Sequence, residues 1–409
     1  MGVGVKLVPE WKRTLWILWA ANFAVTAGMS LVIPFLPLYI ETLGIHSLPQ
    51  LEQWSGWVFS AQFVTAVIFQ PIWGSFADRH GRKGMLLRAG FGMGIVTALM
   101  GMVGAAWQLL ILRLLNGVFS GFISMAVSLL ASVTPDEEAG KALGMLQTGG
   151  IAGSLVGPLI GGVLAETIGY SAVFFLTGFM LLIASLIVLF FVKESPVPVQ
   201  RAKAQRNMAG LKALWPLFPV FLASIVTQMG TMSIEPIVTV YAKVIYQGPH
   251  LAVIAGLVVA LTGFANLAGA PTLGRLGDRF GQRNILVVAM LMAALTYLPQ
   301  ALAHNISTLL IGRFMLGLFI GGMIPSLNVL VKKLAPRHLL ATAFGINSSS
   351  LFLGNLIGPL IGSTIAAAYN IRMVFYVTMS ILIINAIIIA FNRKLSPAMV
   401  NQTEQVSSH

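Results

Sequence analysis

The sequence contains no cysteine, and only 9% of its residues are charged. Without cysteine there is neither a disulfide framework nor a thiolate–metal site. Soluble domains carry roughly 25% Asp, Glu, Lys and Arg, so this chain has too little charge to cover itself in water. Acid is the scarcer sign, with 12 Asp and Glu against 25 Lys and Arg. No Gly-x4-Gly-Lys-Ser/Thr phosphate loop occurs, so nucleotide hydrolysis is not the expected energy source. The histidines (His46, His80, His250, His304, His338, His409) never pair at metal-ligand spacing. No Ser–His–Asp or paired-carboxylate grouping shares a helix face, so neither an enzyme, a cofactor nor a metal site is expected. The first apolar run lacks the small-residue cleavage site of a signal peptide and reads as a retained helix.

What the chain has in abundance is apolar length. Cutting it at every Asp, Glu, Lys and Arg leaves twelve runs of 18 residues or more: 14–40, 53–77, 89–112, 114–135, 142–165, 167–192, 213–234, 244–274, 284–312, 314–331, 338–371 and 373–392. About 20 apolar residues cross a bilayer core as a helix. The expected fold is therefore an all-α membrane protein with twelve transmembrane helices.

The basic residues report orientation. When connections alternate between the two sides, one side takes Lys6, Lys12, Arg13, Arg79, Arg82, Lys83, Arg88, Lys141 and the cluster from Lys193 to Lys212. It also takes Arg275, Arg279, Arg283, Lys332, Lys333, Arg337, Arg393 and Lys394, whereas the other side keeps only Lys243 and Arg372. Cytoplasmic loops carry the Lys/Arg excess, so both termini are expected in the cytoplasm. The net charge of +13 is then a topology signal, and no nucleic-acid partner is expected.

The sequence also repeats itself. Gly74-Ser-Phe-Ala-Asp78-Arg79-His-Gly81-Arg82-Lys83 returns 200 residues later as Gly274-Arg-Leu-Gly-Asp278-Arg279-Phe-Gly281-Gln282-Arg283. Arg113 and Gly117 return as Arg313 and Gly317 at the same offset, and Pro34 and Tyr39 as Pro236 and Tyr241 at an offset of 202. Gly153-x3-Gly157-Pro158-x2-Gly161 returns as Gly354-x3-Gly358-Pro359-x2-Gly362, offset by 201. The expected domains are a six-helix bundle over 1–192, a cytoplasmic linker over 193–212, a second bundle over 213–395 and a tail over 396–409. Two pseudo-symmetric halves are an established transporter plan, with the site at the repeat interface, and such a unit is expected to function as a monomer.

These residues resemble the major facilitator superfamily, and within it the twelve-helix drug:proton antiporters that include bacterial multidrug efflux pumps. The resemblance rests on the 74–83 loop, on Arg113 within Leu109–Gly117, and on Gly153, Gly157, Pro158, Gly161 and Gly162 of the fifth span. It implies alternating access in a bacterial cell membrane, with lipophilic molecules leaving in exchange for protons. It also implies that the fifth-span motif marks antiport and seals the halves against leak, and that Arg113 assists proton transfer. Independently of the resemblance, the loop chemistry suits a conformational latch made by Gly74, Asp78, Arg79, Gly81, Arg82, Lys83, Asp278 and Arg279. An acid there can meet a helix N-terminus, and the cations can meet C-terminal carbonyls.

Proton coupling needs a titratable group within the membrane, where ionisable residues mark relays. Glu235 is the only acidic residue that the expected topology places well inside a helix, and it is the expected proton carrier together with Arg113. Cavity candidates are Asn22, Phe23, Thr26, Asn116, Gln228, Met232, Asn328 and Asn347. With 19 Met and 24 Phe available, a deformable apolar wall suits lipophilic small molecules, with membrane lipid as the surroundings. A carrier for a defined metabolite, such as a sugar or lipid, is the alternative.

Overall fold

In hydrocarbon every backbone N–H and C=O must be paired internally, so long apolar runs become helices. The computed structural model describes residues 9–194, 214–336 and 339–392, apart from the side chains of Asp78, His80, Asp136 and Ala341. Among these residues there are twelve helical spans and no strand. They are α1 (Glu10–Thr42), α2 (Leu48–His80), α3 (Arg82–Met100), α4 (Ala106–Val133), α5 (Asp136–Thr167), α6 (Tyr170–Phe191), α7 (Trp215–Ile245), α8 (Leu251–Phe280), α9 (Gln282–Ala301), α10 (Ile306–Leu334), α11 (Leu340–Ala368) and α12 (Ile371–Phe391). All but α2 and α3 are long and apolar enough on their own to cross a membrane. The expected all-α membrane fold is observed.

Two spans are interrupted. A 3-10 turn at Ile33–Phe35 divides α1, where Pro34 cannot donate to the helical ladder. The second break falls in α4 between Phe119 and Phe122, where Gly121 takes φ 112°. The freed carbonyls are not left bare. Arg88 of α3 donates to Val118 O and Ser120 O at 3.3 and 3.1 Å, and Trp73 Nε1 donates to Val118 O at 2.7 Å. The Arg88 guanidinium also lies 3.9 Å over the Trp73 ring.

Two compact units emerge. The first comprises Met1–Phe35 with Val64–Arg201, and the second Leu36–Phe63 with Ala202–His409. The core of the first unit gathers Leu18, Val25, Leu86, Phe122, Leu129 and Val188. The second buries Ile234, Val238, Leu286, Leu327, Val331 and Phe375. Much of what remains outside is apolar: Phe179 of α6, Ile311 of α10 and Phe391 of α12 are 62%, 65% and 81% exposed. Such faces are a liability in water and the normal contact surface in lipid. The tail and almost all of the linker expected at 193–212 lie outside the described residues.

Candidate functional site

Glu235 lies within α7, ten residues before the helix ends at Ile245. Its Oε2 accepts from Arg313 Nη2 of α10 at 3.3 Å, with side-chain exposures of 15% for the acid and 3% for the arginine. Aromatic groups flank the pair. Tyr297 of α9 donates to Gly230 O at 3.4 Å. Phe375 of α12 packs against Tyr297 and Tyr241, with ring centroids 6.3 and 5.3 Å apart. Tyr241 donates to the carbonyls of Gln300 and Ala303 at 3.0 Å each, closing the end of α9. Arg313 Nε and Gln300 Oε1 are buried with no hydrogen-bond partner among the described residues.

Arg113, the repeat mate of Arg313, is 8% exposed within α4. One turn on, Asn116 turns towards α3 and donates to Thr97 Oγ1 at 3.2 Å. The cavity candidates fall into two groups, one in each unit. In the first, Asn22 donates to Leu146 O at 3.2 Å, Thr26 donates back to Asn22 O at 2.7 Å, and Phe23 stacks on Trp19. Phe23 also lines an apolar groove of about 400 Å³ with Gly157, Ile160, Phe179 and Met180. In the second, a polar chain joins three helices: Ser224 Oγ donates to Asn347 Oδ1 at 2.6 Å, and Asn347 Nδ2 to Asn328 Oδ1 at 2.9 Å. Gln228 donates to Asn355 Oδ1 at 2.7 Å beside it. Met232 instead packs on α11, where a Cβ on Gly358 would meet its Cβ at 2.9 Å.

The fifth-span glycines form a seam. A Cβ on Gly153, Gly157 or Gly161 would collide with α1 at Phe23 O, Ala27 O or Leu31 O. Pro158 and Gly162 are buried in the same helix. The repeat makes the same seam, with Gly354, Gly358 and Gly362 against Ile225 O, Met229 O and Ser233 O of α7. Small residues at spacings of four let helix backbones approach closely.

At the 74–83 loop, Gly81 and its mate Gly281 take φ 94° and 90°, a left-handed turn that glycine accommodates without Cβ strain. Lys83 then reaches the C-terminus of α6, donating to Leu189 O at 2.8 Å, and Arg283 reaches Ile389 O of α12 at 3.1 Å. Arg82 donates to Ser128 O at 3.1 Å. Arg79 and Arg279 are exposed, and Gly74 has open space around it. Asp278 accepts from Gln282 at 3.0 Å. The Asp78 side chain lies outside the described residues.

Three residues escaped the sequence reading. Glu194, just past α6, accepts from the backbone N–H of Arg82 at 2.7 Å and of Lys83 at 3.0 Å. A carboxylate thus sits on the positive end of α3, and the only cue was its place beside the linker. Glu52 is a buried acid within a span. It belongs to α2 and is 2% exposed, although the charge cut had set it at the span's edge. Arg88 was counted as a loop cation, yet it lies a turn and a half inside α3.

This arrangement of buried ion pair, glycine seams and duplicated turns defines a polytopic membrane protein of two like repeats. The chain belongs to the Major Facilitator Superfamily, whose pattern matches residues 18–254 and 220–407. It is 40% identical over 381 residues to "Multidrug resistance protein MdtG" of Rahnella sp. (strain Y9602), covering 92% of each chain. It is 41% identical over 382 residues to the protein of the same name from Salmonella heidelberg (strain SL476), covering 92% of this chain and 95% of that one. Among solved structures, a bacterial homolog of the human lysosomal transporter Spinster superposes with a TM-score of 0.81 at 14% identity, covering 96% and 99% of the chains. A D-xylose–proton symporter superposes with a TM-score of 0.76 at 15% identity, covering 92% and 97%. These two likenesses establish the fold.

Proposed function

We propose that the protein exports lipophilic toxic molecules from a bacterial cell in exchange for protons, by alternating access and without chemistry on the substrate. The observation that carries export is the 40% identity, over 92% of the chain, to proteins named for multidrug resistance. The buried Glu235–Arg313 pair supports proton coupling. An ionisable pair inside an apolar bundle is costly to keep unless it does something, and the carboxylate is the member that can gain or lose a proton. Arg113 takes a supporting role in the proton path of the first repeat. The Ser224–Asn347–Asn328 chain, Gln228, Asn22, Thr26, Asn116, Phe23 and Met232 supply the polar and adaptable contacts of the substrate path.

In this reading 1–192 and 213–395 are the two bundles, joined by 193–212 and followed by the tail at 396–409, and one copy suffices. Both termini face the cytoplasm, as the Lys/Arg bias supports. The turns at Gly81 and Gly281 with Arg79, Asp78 and Asp278 act as the latch, and the glycine seam of α5 serves antiport. Lipid surrounds the apolar faces, and nucleic acid has no part.

The test is efflux of a fluorescent lipophilic dye from cells, with and without a collapsed proton gradient. Wild type is expected to pump uphill only with the gradient, and Glu235→Gln to insert normally yet lose uphill efflux. Gradient-driven efflux at the wild-type rate from Glu235→Gln would sink the assignment. Labelling of single cysteines at 79 and 279 is expected from the same side of the membrane.

A further inference from the structure

The α1–α5 seam borders the apolar groove of about 400 Å³, which is walled by residues within 23–31 of α1, 156–164 of α5 and 176–183 of α6. Gly157 belongs to both, packing on Ala27 O in the seam and lining the groove beside it. The hydroxyl of Thr177, the one polar side chain of the lining, is buried. The walls therefore present only apolar atoms, and a ligand with polar groups finds no partner there. Ile160, Leu176, Phe179 and Ile183 are exposed, so the groove is continuous with the apolar faces that meet lipid.

Its dimensions narrow the choice of occupant. Eight residue steps at ~1.5 Å give the groove a length of ~12 Å. Along α6 it begins six residues after Tyr170 and ends eight before Phe191, so both of its ends lie within a hydrocarbon core ~30 Å thick. A volume of about 400 Å³ over that length leaves a mean width of roughly 6 Å. An extended hydrocarbon chain, whose carbon contacts form at ~4 Å, fits this width. A helix from a second copy, ~10–12 Å thick, does not.

We propose that the groove binds the terminal part of one acyl chain of a membrane lipid, which lies along α1, α5 and α6 and completes the packing beside the glycine seam. Left empty, the groove forfeits dispersion contacts along all three walls. Packing contacts, rather than escape from water, hold helices together within a bilayer, so a chain in this place stabilises the first unit. The inference rests on the membrane-spanning fold and is independent of export and of its coupling.

The test uses a phosphatidylcholine carrying a diazirine near the end of one acyl chain, added to the purified full-length protein in neutral detergent. Labelled residues are then located by mass spectrometry. Wild type is expected to label preferentially within 23–31, 156–164 and 176–183, saturably and in competition with unlabelled phosphatidylcholine. Ile160→Trp, which fills the groove from its exposed side, should weaken the lipid roughly tenfold, the worth of about ten lost carbon contacts. Phe190→Trp, at an exposed place on α6 outside the groove, should match wild type. Should Ile160→Trp fail to fold, Ile183→Trp blocks the groove from α6 and should show the same loss. Labelling spread evenly over all exposed helix faces would overturn the site, as would wild-type affinity in the blocked variants. Displacement of the label by a lipophilic dye that the cells export would overturn it too, by making the groove part of the substrate path. A wild-type protein that elutes as a dimer with these three segments unlabelled would instead make the face a contact between copies.

Discussion

The two repeats share their framework and differ in their charges. Both turn at a left-handed glycine, Gly81 and Gly281, and both send the next-but-one cation to carbonyls ending the sixth helix of the repeat. Both lock their first helix to their fifth through three backbone-to-backbone glycine contacts. The arginines Arg113 and Arg313 occupy matching places, and the second repeat sets an acid, Glu235, against its arginine. The first repeat instead breaks its fourth helix and supplies Arg88 and Trp73 to hold the break. At the matching places the second repeat has Val288 and Leu273, and α10 runs unbroken from Ile306 to Leu334. What duplication preserved is scaffold, and what diverged is where charge and helix breaks were put to use.

The comparison is broken most forcefully at the ion pair. Arg313→Leu strands a largely buried carboxylate and is expected to cost about 3 kcal/mol, the low end for such pairs because Glu235 keeps some exposure. Adding Glu235→Gln should recover most of that loss, whereas Arg113→Leu should gain nothing from it. Thermal melts of the purified variants decide this as a double-mutant cycle.

Next come the seams. Gly161→Val and Gly362→Val each push a side chain into a backbone carbonyl, of Leu31 and Ser233 respectively, and should cost about 1–3 kcal/mol. Equal falls in Tm would confirm a shared framework; a large gap between the two would break it. Arg88→Met, which removes the donor to Ser120 O and leaves Val118 O with Trp73 Nε1 alone, is expected to cost about 1–2 kcal/mol. Its effect should show in the melt, while the matching Val288→Met should be near neutral. The smallest effect is expected from Lys243→Met, since Lys243 and Glu41 of that pair are 37% and 28% exposed. It should lose less than about 1 kcal/mol, and less still in high salt.

The layout of the molecule was legible because hydrocarbon imposes it. Twelve charge-free runs, a one-sided Lys/Arg bias and motif copies 200 residues apart specify twelve helices in two repeats. The glycine seam was legible in the spacing of Gly153, Gly157 and Gly161, although only coordinates show that its partner is α1. The ion pair was half legible. Glu235 is legible as an acid that the topology sets inside a helix, but its partner lies 78 positions away in the chain, and the sequence marks Arg313 only as the repeat of Arg113. Glu52 and Arg88 are hidden from the sequence for one reason. Cutting at charges treats every charge as a helix end, and these two continue inside α2 and α3, where one is buried and the other is tied to carbonyls. Glu194 carries no pattern at all, since capping a helix from 112 residues away depends on the tertiary fold.

The Glu194 contact has a mechanical consequence. Glu194, three residues past α6, grips the first two amides of α3 with its carboxylate. A displacement of Glu194 is therefore felt where α2 hands over to α3. Lengthening the chain after Glu194 would leave the grip in place, whereas inserting residues before it would move the anchor off its socket.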